Sequence, residues 1–284
     1  MADFFAQHYN MIVILLSTTM LGISAGLMGC FLVLRKEALI ADAVSHATLP
    51  GIGIGFLIAY TLEYDDGRFI PLLLSCAALT AFLGAKSVQY ITNHTKLHPD
   101  TAIASTMSFF YGVGLILLNI IQNLETGNKA GLNSFLLGQV SGLTRIDLIM
   151  LFTVSVLSIL LIYINYKTFR LLCFDKTYAQ LIGMKTKITE RLMLLLMILI
   201  VCVGLKTVGL ILIVALLITP AVTARLWCNT TEAMLVTAAC LGALSCAIGV
   251  YLSSLYTLPT GAVIVMTSFS LFCLSLIIRK LKHV

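Results

Sequence analysis

A succession of long apolar runs constrains the fold of this chain more than any other feature. Nine such runs fall at about 11–34, 38–60, 69–91, 101–122, 145–165, 191–204, 207–225, 232–252 and 259–279. Most of them reach the roughly 20 residues that a helix needs to cross the hydrocarbon core of a bilayer. Only 11% of the residues are charged, whereas a soluble domain has about 25%. The sequence therefore predicts an all-helical, polytopic membrane protein that forms one transmembrane domain over residues 1–284.

The number of crossings depends on two neighbouring runs. The sixth run, 191–204, is short, and only Leu205 and Lys206 separate it from the seventh. One of the two could be a partial or broken span. Nine crossings are the preferred prediction, and eight are the alternative.

The distribution of positive charges predicts the orientation. If the 166–190 segment lies inside and the sides alternate, only Arg68, Lys129, Arg145 and Lys206 of the 18 Lys and Arg residues fall outside, which leaves 14 inside. The positive-inside rule then predicts an outside N-terminus and a cytoplasmic C-terminus. The same bias accounts for the net charge of +6 without a nucleic-acid partner. Residues 1–10 contain no Lys or Arg, so we expect the first run to be retained rather than cleaved as a signal.

Asp42 and His46 lie four residues apart within the second apolar run. A carboxylate at the centre of a membrane costs about 2.5–3.5 kcal/mol on insertion scales, so it rarely occurs there without a partner or a function. The spacing places both side chains on one face of a helix. An oxygen donor and an imidazole together suit Mn²⁺, Fe²⁺ or Zn²⁺. The alternative is that Asp42 is solvated near the membrane boundary and that His46 bonds to a backbone carbonyl.

Pro50 and Gly51 follow this pair and are candidates for shaping the path. Pro50 has no N–H, so the carbonyl of His46, four residues earlier, loses its helical donor. That carbonyl is a plausible third ligand. Gly51 would soften the helix just beyond. Irregular backbone at this depth is tolerated where it lines a cavity.

The inside segment at about 166–190 contains a short amphipathic stretch. Its apolar stripe at helical spacing consists of Phe174, Tyr178, Leu181 and Ile182, and Gly183 offers a C-terminal stop. One interpretation is an interfacial helix on lipid. The other is a helix that docks into a groove of a cytosolic partner.

These segments together resemble the membrane permease of ABC-type manganese, zinc and iron uptake systems, the ABC-3 family. The strongest resemblance lies in Ala41-Asp-Ala-Val-Ser-His-Ala-Thr-Leu-Pro-Gly51. Support comes from Asp100-Thr-Ala-Ile103, Ser134-Phe-Leu-Leu-Gly138, the 175–183 stretch and Thr219-Pro-Ala-Val-Thr-Ala-Arg225. Ala41 stands where the family often has a glycine.

The resemblance implies a fold like that of type II ABC importers, in a bacterial cytoplasmic membrane. It implies that two permease subunits, identical or paralogous, pair around the path, that separate ATPase subunits dock inside, and that an extracytoplasmic metal-binding protein delivers the ion. By the same resemblance, Asp42 and His46 contact the transported metal, and Asp175 to Gly183 is the coupling helix. The chain itself would be no enzyme and would hold no cofactor.

The main competing hypothesis is a secondary metal carrier driven by an ion gradient. Such a carrier needs further intramembrane carboxylates for its coupling ions, and only Asp42 lies clearly within a run. An intramembrane metalloenzyme would need a motif such as His-Glu-x-x-His, which the sequence does not contain. The eight cysteines form no Cys-x-x-Cys pair, so we expect neither disulfides nor metal ligands among them.

Overall fold

The computed structural model describes residues 2–62, 70–123, 145–256 and 258–282, and these ranges contain helices and no strands. The helices are α1 (Ala2–Leu34), α2 (Ala38–Thr61), α3 (Ile70–His94), α4 (Pro99–Asn123), α5 (Arg145–Ile164), α6 (Tyr166–Phe174), α7 (Lys176–Leu181), α8 (Thr186–Val208), α9 (Leu210–Trp227), α10 (Thr231–Tyr256) and α11 (Thr260–Lys282). The prediction of an all-helical protein is confirmed.

Seven of the described helices are long and apolar enough to cross a membrane, and the number rises to eight if α5 and α6, which are bent by 68° at their junction, form one span. The preferred ninth crossing corresponds to α9, whose apolar part, Leu212–Trp227, is shorter than a full span. The uncertain pair of runs is therefore α8 and α9, as expected. However, α9 rather than α8 is the short member, and the break lies at Gly209, not at Leu205 and Lys206.

The prediction of an inside loop at 166–190 is corrected by the structure, because most of these residues are helical. Residues Tyr166–Phe174 form α6, Lys176–Leu181 form α7, and α8 begins at Thr186 rather than at 191. The apolar run underestimated the length of α8, because the first six residues of this helix, Thr-Lys-Ile-Thr-Glu-Arg, are mostly polar. Polar residues extend a transmembrane helix beyond the hydrocarbon region, where hydropathy does not detect them.

The α2 helix lies at the centre of the packing that positions the candidate site. Of its spanning segment, 72% is buried, against 17% for α11. A methyl group on Gly51 would lie 2.4 Å from the carbonyl oxygen of Cys76 in α3, and one on Gly114 in α4 would lie 2.7 Å from Cβ of Leu49. Small residues thus allow α3 and α4 to approach α2 closely, as is common between helices in membranes.

The chain reverses direction between α8 and α9. Gly209 has a φ of 88°, a backbone conformation that favours glycine. A methyl group on Gly204 would lie 2.5 Å from Cδ1 of Ile213. In a continuous helix these two residues would be about 13 Å apart along the axis, so α8 and α9 form a tight hairpin.

Contacts between helix ends show which of them share a side of the bundle. Arg35, just after α1, contacts Met193 near the start of α8. The thiol of Cys30 donates to the carbonyl of Met234 near the start of α10. The starts of α8 and α10 therefore lie at the same end of the bundle as Arg35, which we call the Arg35 side.

Candidate functional site

Asp42 and His46 lie on α2 as the spacing predicts, and their side chains converge. Nε2 of His46 is 3.4 Å from Oδ1 of Asp42, and the two side chains are 20% and 34% exposed, respectively. Two donors that each lie about 2.1 Å from a single ion are about 3.0–3.4 Å apart for ligand angles of 90–109°. The observed separation therefore suits two ligands of one ion.

The pair occupies the exposed stripe of an otherwise buried helix. Leu39, three residues before Asp42, and Ile54, eight residues after His46, are exposed on the same side of α2, with buried Pro50 between His46 and Ile54. The residues on the other faces of α2 are buried against α3, α4, α8 and α9. Asp42 and His46 are therefore held by a rigid helix but open away from the core of this chain.

Tyr111 of α4 completes the surroundings of His46. The two rings meet edge to face with centroids 5.1 Å apart. Nδ1 of His46 is buried and has no hydrogen-bond partner among the described residues. A buried, unpaired ring nitrogen is unfavourable, so His46 has unused capacity for a ligand or a bridging water. The described residues contain no group of three or more His, Cys, Asp or Glu side chains placed to hold a metal.

Pro50 and Gly51 serve packing in the structure. The α2 helix continues through Pro50, and a methyl group on Gly114 would meet Cδ of Pro50 at 3.3 Å. Thr48 directs its hydroxyl to the carbonyl of Ser45 at 2.5 Å. The proposed third donor, the carbonyl of His46, stays a prediction.

The predicted coupling segment forms a short helix, α7, at Lys176–Leu181. Asp175 caps it, because its carboxylate accepts a hydrogen bond from the backbone N–H of Tyr178 at 2.8 Å. Gly183 has a φ of 80°, which permits the turn that follows. The four residues of the predicted apolar stripe, Phe174, Tyr178, Leu181 and Ile182, are all exposed. Only Tyr178 and Leu181 belong to α7, because Phe174 ends α6 and Ile182 follows the last residue of α7.

An ionic cluster, not predicted from the sequence, joins α7 to α8 and to the α1–α2 connection. Nζ of Lys176 is 2.6 Å from Oε1 of Glu190, and Arg35 lies 3.7 Å from the same oxygen and 2.9 Å from Glu37. The contact with Lys176 is an ion pair rather than a directed hydrogen bond, because that oxygen has no donor in hydrogen-bond geometry. The one feature of the sequence that indicated this cluster was Glu190, a carboxylate directly before the apolar run 191–204.

His94 and His98 also lie four residues apart, but they contact different partners. His94 stacks on Tyr90, and its Nδ1 lies 3.0 Å from the carbonyl oxygen of Tyr90. His98, just before α4, instead lies 3.4 Å from Asp100 in the exposed first turn of that helix. All eight cysteines are free, in line with the prediction that they form no disulfides.

The sequence matches the model of the ABC 3 transport family over residues 7–279. It is 37% identical over 272 residues to the manganese transport system membrane protein MntC of Bacillus subtilis, covering 95% of this chain but 61% of that protein. It is 35% identical over 279 residues to the zinc transport system membrane protein TroC of Treponema pallidum, covering 98% and 92% of the two chains.

Two solved structures share the fold. PsaBC from Streptococcus pneumoniae, solved in complex with a Fab, matches with a TM-score of 0.79 and 31% identity over 92% of this chain and 89% of that chain. A transporter described as of the metal-chelate ABC type, in an inward-facing conformation, matches with a TM-score of 0.68 over 93% of this chain and 85% of that chain. Its 16% identity supports a likeness of fold alone.

The helices and their arrangement thus define a multi-pass membrane protein of the ABC importer permease class. The chain belongs to the ABC 3 transport family.

Proposed function

We propose that this chain is the transmembrane subunit of an ATP-driven importer of a divalent transition metal ion, namely Mn²⁺, Zn²⁺ or Fe²⁺. In this proposal Asp42 and His46 contact the ion in transit. The observation that carries it is the 3.4 Å separation of one carboxylate oxygen and one imidazole nitrogen on the exposed stripe of a buried spanning helix. Relatives named for manganese and zinc transport support the choice of ions.

A site with two protein donors suits transport better than storage. An ion that must leave needs binding that is favourable enough to admit it and weak enough to release it. Water, the carbonyl of His46 or a second subunit would supply the other ligands. The unpaired Nδ1 of His46 would then be met by water or by that subunit, and Pro50 and Gly51 would fix the course of α2 beside the path.

A second permease subunit, a copy or a paralogue, would cover the exposed stripe of α2. Without a cover, Asp42 would face lipid, which is costly for a carboxylate. With a cover, the two stripes would enclose a polar path between them. Lipid would contact the remaining exposed apolar faces, as in other bilayer-spanning bundles.

The other components would follow the family pattern. ATP hydrolysis would be carried by separate cytosolic subunits that dock on α7, and an extracytoplasmic metal-binding protein would deliver the ion. The complex would lie in a bacterial cytoplasmic membrane. The chain would hold no cofactor of its own and would act on the metal only as cargo.

The test is metal accumulation by cells that depend on this chain at limiting metal. Asp42→Asn keeps the shape and removes the charge, and His46→Ala removes the nitrogen donor. We expect each to reduce accumulation of radioactive manganese or zinc at least tenfold, with unchanged protein levels in the membrane.

Asp100→Asn and His98→Ala are matched controls, because this exposed pair has the same two residue types and the same 3.4 Å separation. They should transport normally. Normal transport by both α2 variants would show that the pair is structural. In reconstituted vesicles, uptake that needs no ATP but collapses with an ionophore would favour the secondary carrier instead.

A further inference from the structure

The bundle has a basic cavity at the Arg35 side, between α3 and α8. It has a volume of about 200 Å³ and is lined by Lys86, Gln89, Lys187, Glu190, Arg191 and Leu194. Three of the six residues carry a positive charge and one carries a negative charge. The proposed metal path, at Asp42 and His46, does not use this cavity.

Within the part of the chain that the structure describes, the three cationic side chains of the cavity have no acidic partner. Among the described residues, no carboxylate forms an ion pair with Lys86, Lys187 or Arg191. Lys86 contacts only the side-chain amide oxygen of Gln89, at 3.3 Å, and the face of Phe82. Glu190 is already paired with Lys176 at 2.6 Å. Three uncompensated cations around one concavity are suited to a phosphate group.

The apolar surface beside the cavity extends from it along the membrane-spanning parts of both helices. Leu79 and Leu83 of α3 precede Lys86 by seven and three residues, and Leu195 and Leu199 of α8 follow Arg191 by four and eight. All four leucines are exposed. Because of these intervals, they continue the faces that carry the cations. A ligand bound here would meet cations at one end and hydrocarbon along the rest.

We propose that this cavity binds the phosphate headgroup of an anionic phospholipid, with its acyl chains along Leu79, Leu83, Leu195 and Leu199. An acidic segment of a partner protein would satisfy the cations but not the apolar faces that lead into the membrane. A free phosphate ion would likewise leave those faces unused. Glu190 links the site to α7, because it lines the cavity and pairs with Lys176.

The test is lipid retention by the purified transporter with the subunits that co-purify with it. Native mass spectrometry would compare palmitoyl-oleoyl phosphatidylglycerol with the phosphatidylcholine that has the same acyl chains. We expect selective retention of phosphatidylglycerol. Each basic residue near the headgroup contributes roughly a fivefold gain in affinity. The triple variant Lys86→Gln, Lys187→Gln, Arg191→Gln should therefore bind phosphatidylglycerol roughly 100-fold more weakly.

The matched control is Lys96→Gln, Arg279→Gln, Lys280→Gln, which removes the same charge from exposed positions and should retain the lipid. If the triple variant does not accumulate, Arg191→Gln should weaken binding about fivefold and Arg191→Lys should restore it.

Four results would overturn the proposal. The first is equal retention of the two lipids, and the second is equal loss of lipid in the triple variant and its control. The third is displacement of phosphatidylglycerol by inorganic phosphate at comparable concentration. The fourth is unchanged lipid retention together with loss of the ATPase subunit in the triple variant. The last result would identify the cavity as a protein-docking surface. None of these readouts depends on which metal is transported.

Discussion

At the residue scale, Asp42 and His46 differ from a second carboxylate–imidazole pair in their position. His98 and Asp100 have the same side chains at the same separation, but they are exposed at the start of α4, whereas Asp42 and His46 are half-buried on α2. The i, i+4 spacing on one helix face was predictable from the sequence. The edge-on contact of His46 with Tyr111 was not, because it depends on how α2 and α4 pack against each other.

Gly51 illustrates how a residue singled out in the sequence can have a packing role that the sequence does not indicate. The sequence suggested that it softens the helix after Pro50. In the structure it permits close approach of α3, since a methyl group there would lie 2.3 Å from Oγ1 of Thr80 and 2.4 Å from the carbonyl oxygen of Cys76. The approach of a backbone carbonyl from another helix leaves no signal in the local sequence.

We predict that Gly51→Ala destabilises the protein by about 1–3 kcal/mol, the usual cost of overpacking a tight contact. The added methyl group must push α3 away from α2. The measurement is thermal unfolding of the purified protein in detergent, followed by metal accumulation in cells. We expect both the midpoint of unfolding and the rate of accumulation to fall.

Gly112→Ala is the control for this substitution. A methyl group at Gly112 would meet no atom of another helix within 4 Å, so the midpoint of unfolding of Gly112→Ala should not fall below the wild-type value, and any change should be a rise because alanine favours a helix. Equal midpoints of unfolding for Gly51→Ala and the wild type would mean that α2 and α3 are not in close contact at Gly51.

At the element scale, the connection between α5 and α8 differs most from what hydropathy suggests. The 68° bend between α5 and α6 falls at Asn165, whose side-chain amide donates to the carbonyl of Leu161 at 3.0 Å. No proline or glycine marks this bend in the sequence. A short helix before Gly183 was nevertheless predictable, although α7 contains only Tyr178 and Leu181 of the predicted apolar stripe.

We predict that Tyr178→Asp weakens docking of the ATPase, and thereby uncouples ATP hydrolysis from transport, while the protein stays in the membrane. Tyr178 is exposed on the stripe that we propose fills a groove of the ATPase, and a carboxylate is disfavoured in an apolar groove. The measurement is co-purification of the ATPase, with a loss of at least tenfold expected. Leu97→Asp, which places the same charge at another exposed apolar residue on the Arg35 side, should leave co-purification unchanged.

Wild-type levels of the ATPase with Tyr178→Asp would argue that α7 lies on lipid as an interfacial helix. That outcome would leave the fold and the metal site unaffected. It would also require another surface on the Arg35 side for docking.

At the scale of the whole molecule, the lengths of several helices were predictable, with α8 as an exception, but the pairing of the helices was not. The run 38–60 corresponds to α2 at Ala38–Thr61, and 101–122 corresponds to α4 at Pro99–Asn123. The lengths follow from the thickness of the bilayer. The pairing depends on matching small residues of distant helices, such as Gly22 of α1 against Gly242 of α10, which a single sequence does not reveal.

Contacts between helix ends determine which of these ends lie on the same side of the bundle. The start of α8 and the start of α10 both lie on the Arg35 side, so α9 must return to the side where α8 begins. The indole N–H of Trp227, at the end of α9, donates to Ser275 of α11. The end of α11 therefore lies on the Arg35 side too, together with α7, which Lys176 ties to Glu190.

We predict that a reporter fused after Val284 is active on the cytoplasmic side. The contacts of α9 and α11 place the end of α11 with Arg35, and the excess of 14 positive charges over 4 indicates that this side faces the cytoplasm. A reporter inserted within residues 63–68 should show the opposite activity, because α2 leads away from the Arg35 side. The measurement is the ratio of alkaline phosphatase to green fluorescent protein activity for each fusion. Phosphatase activity of the fusion after Val284 would mean that the orientation in the membrane is the reverse of the predicted one. In that case α7 would face away from any cytosolic ATPase.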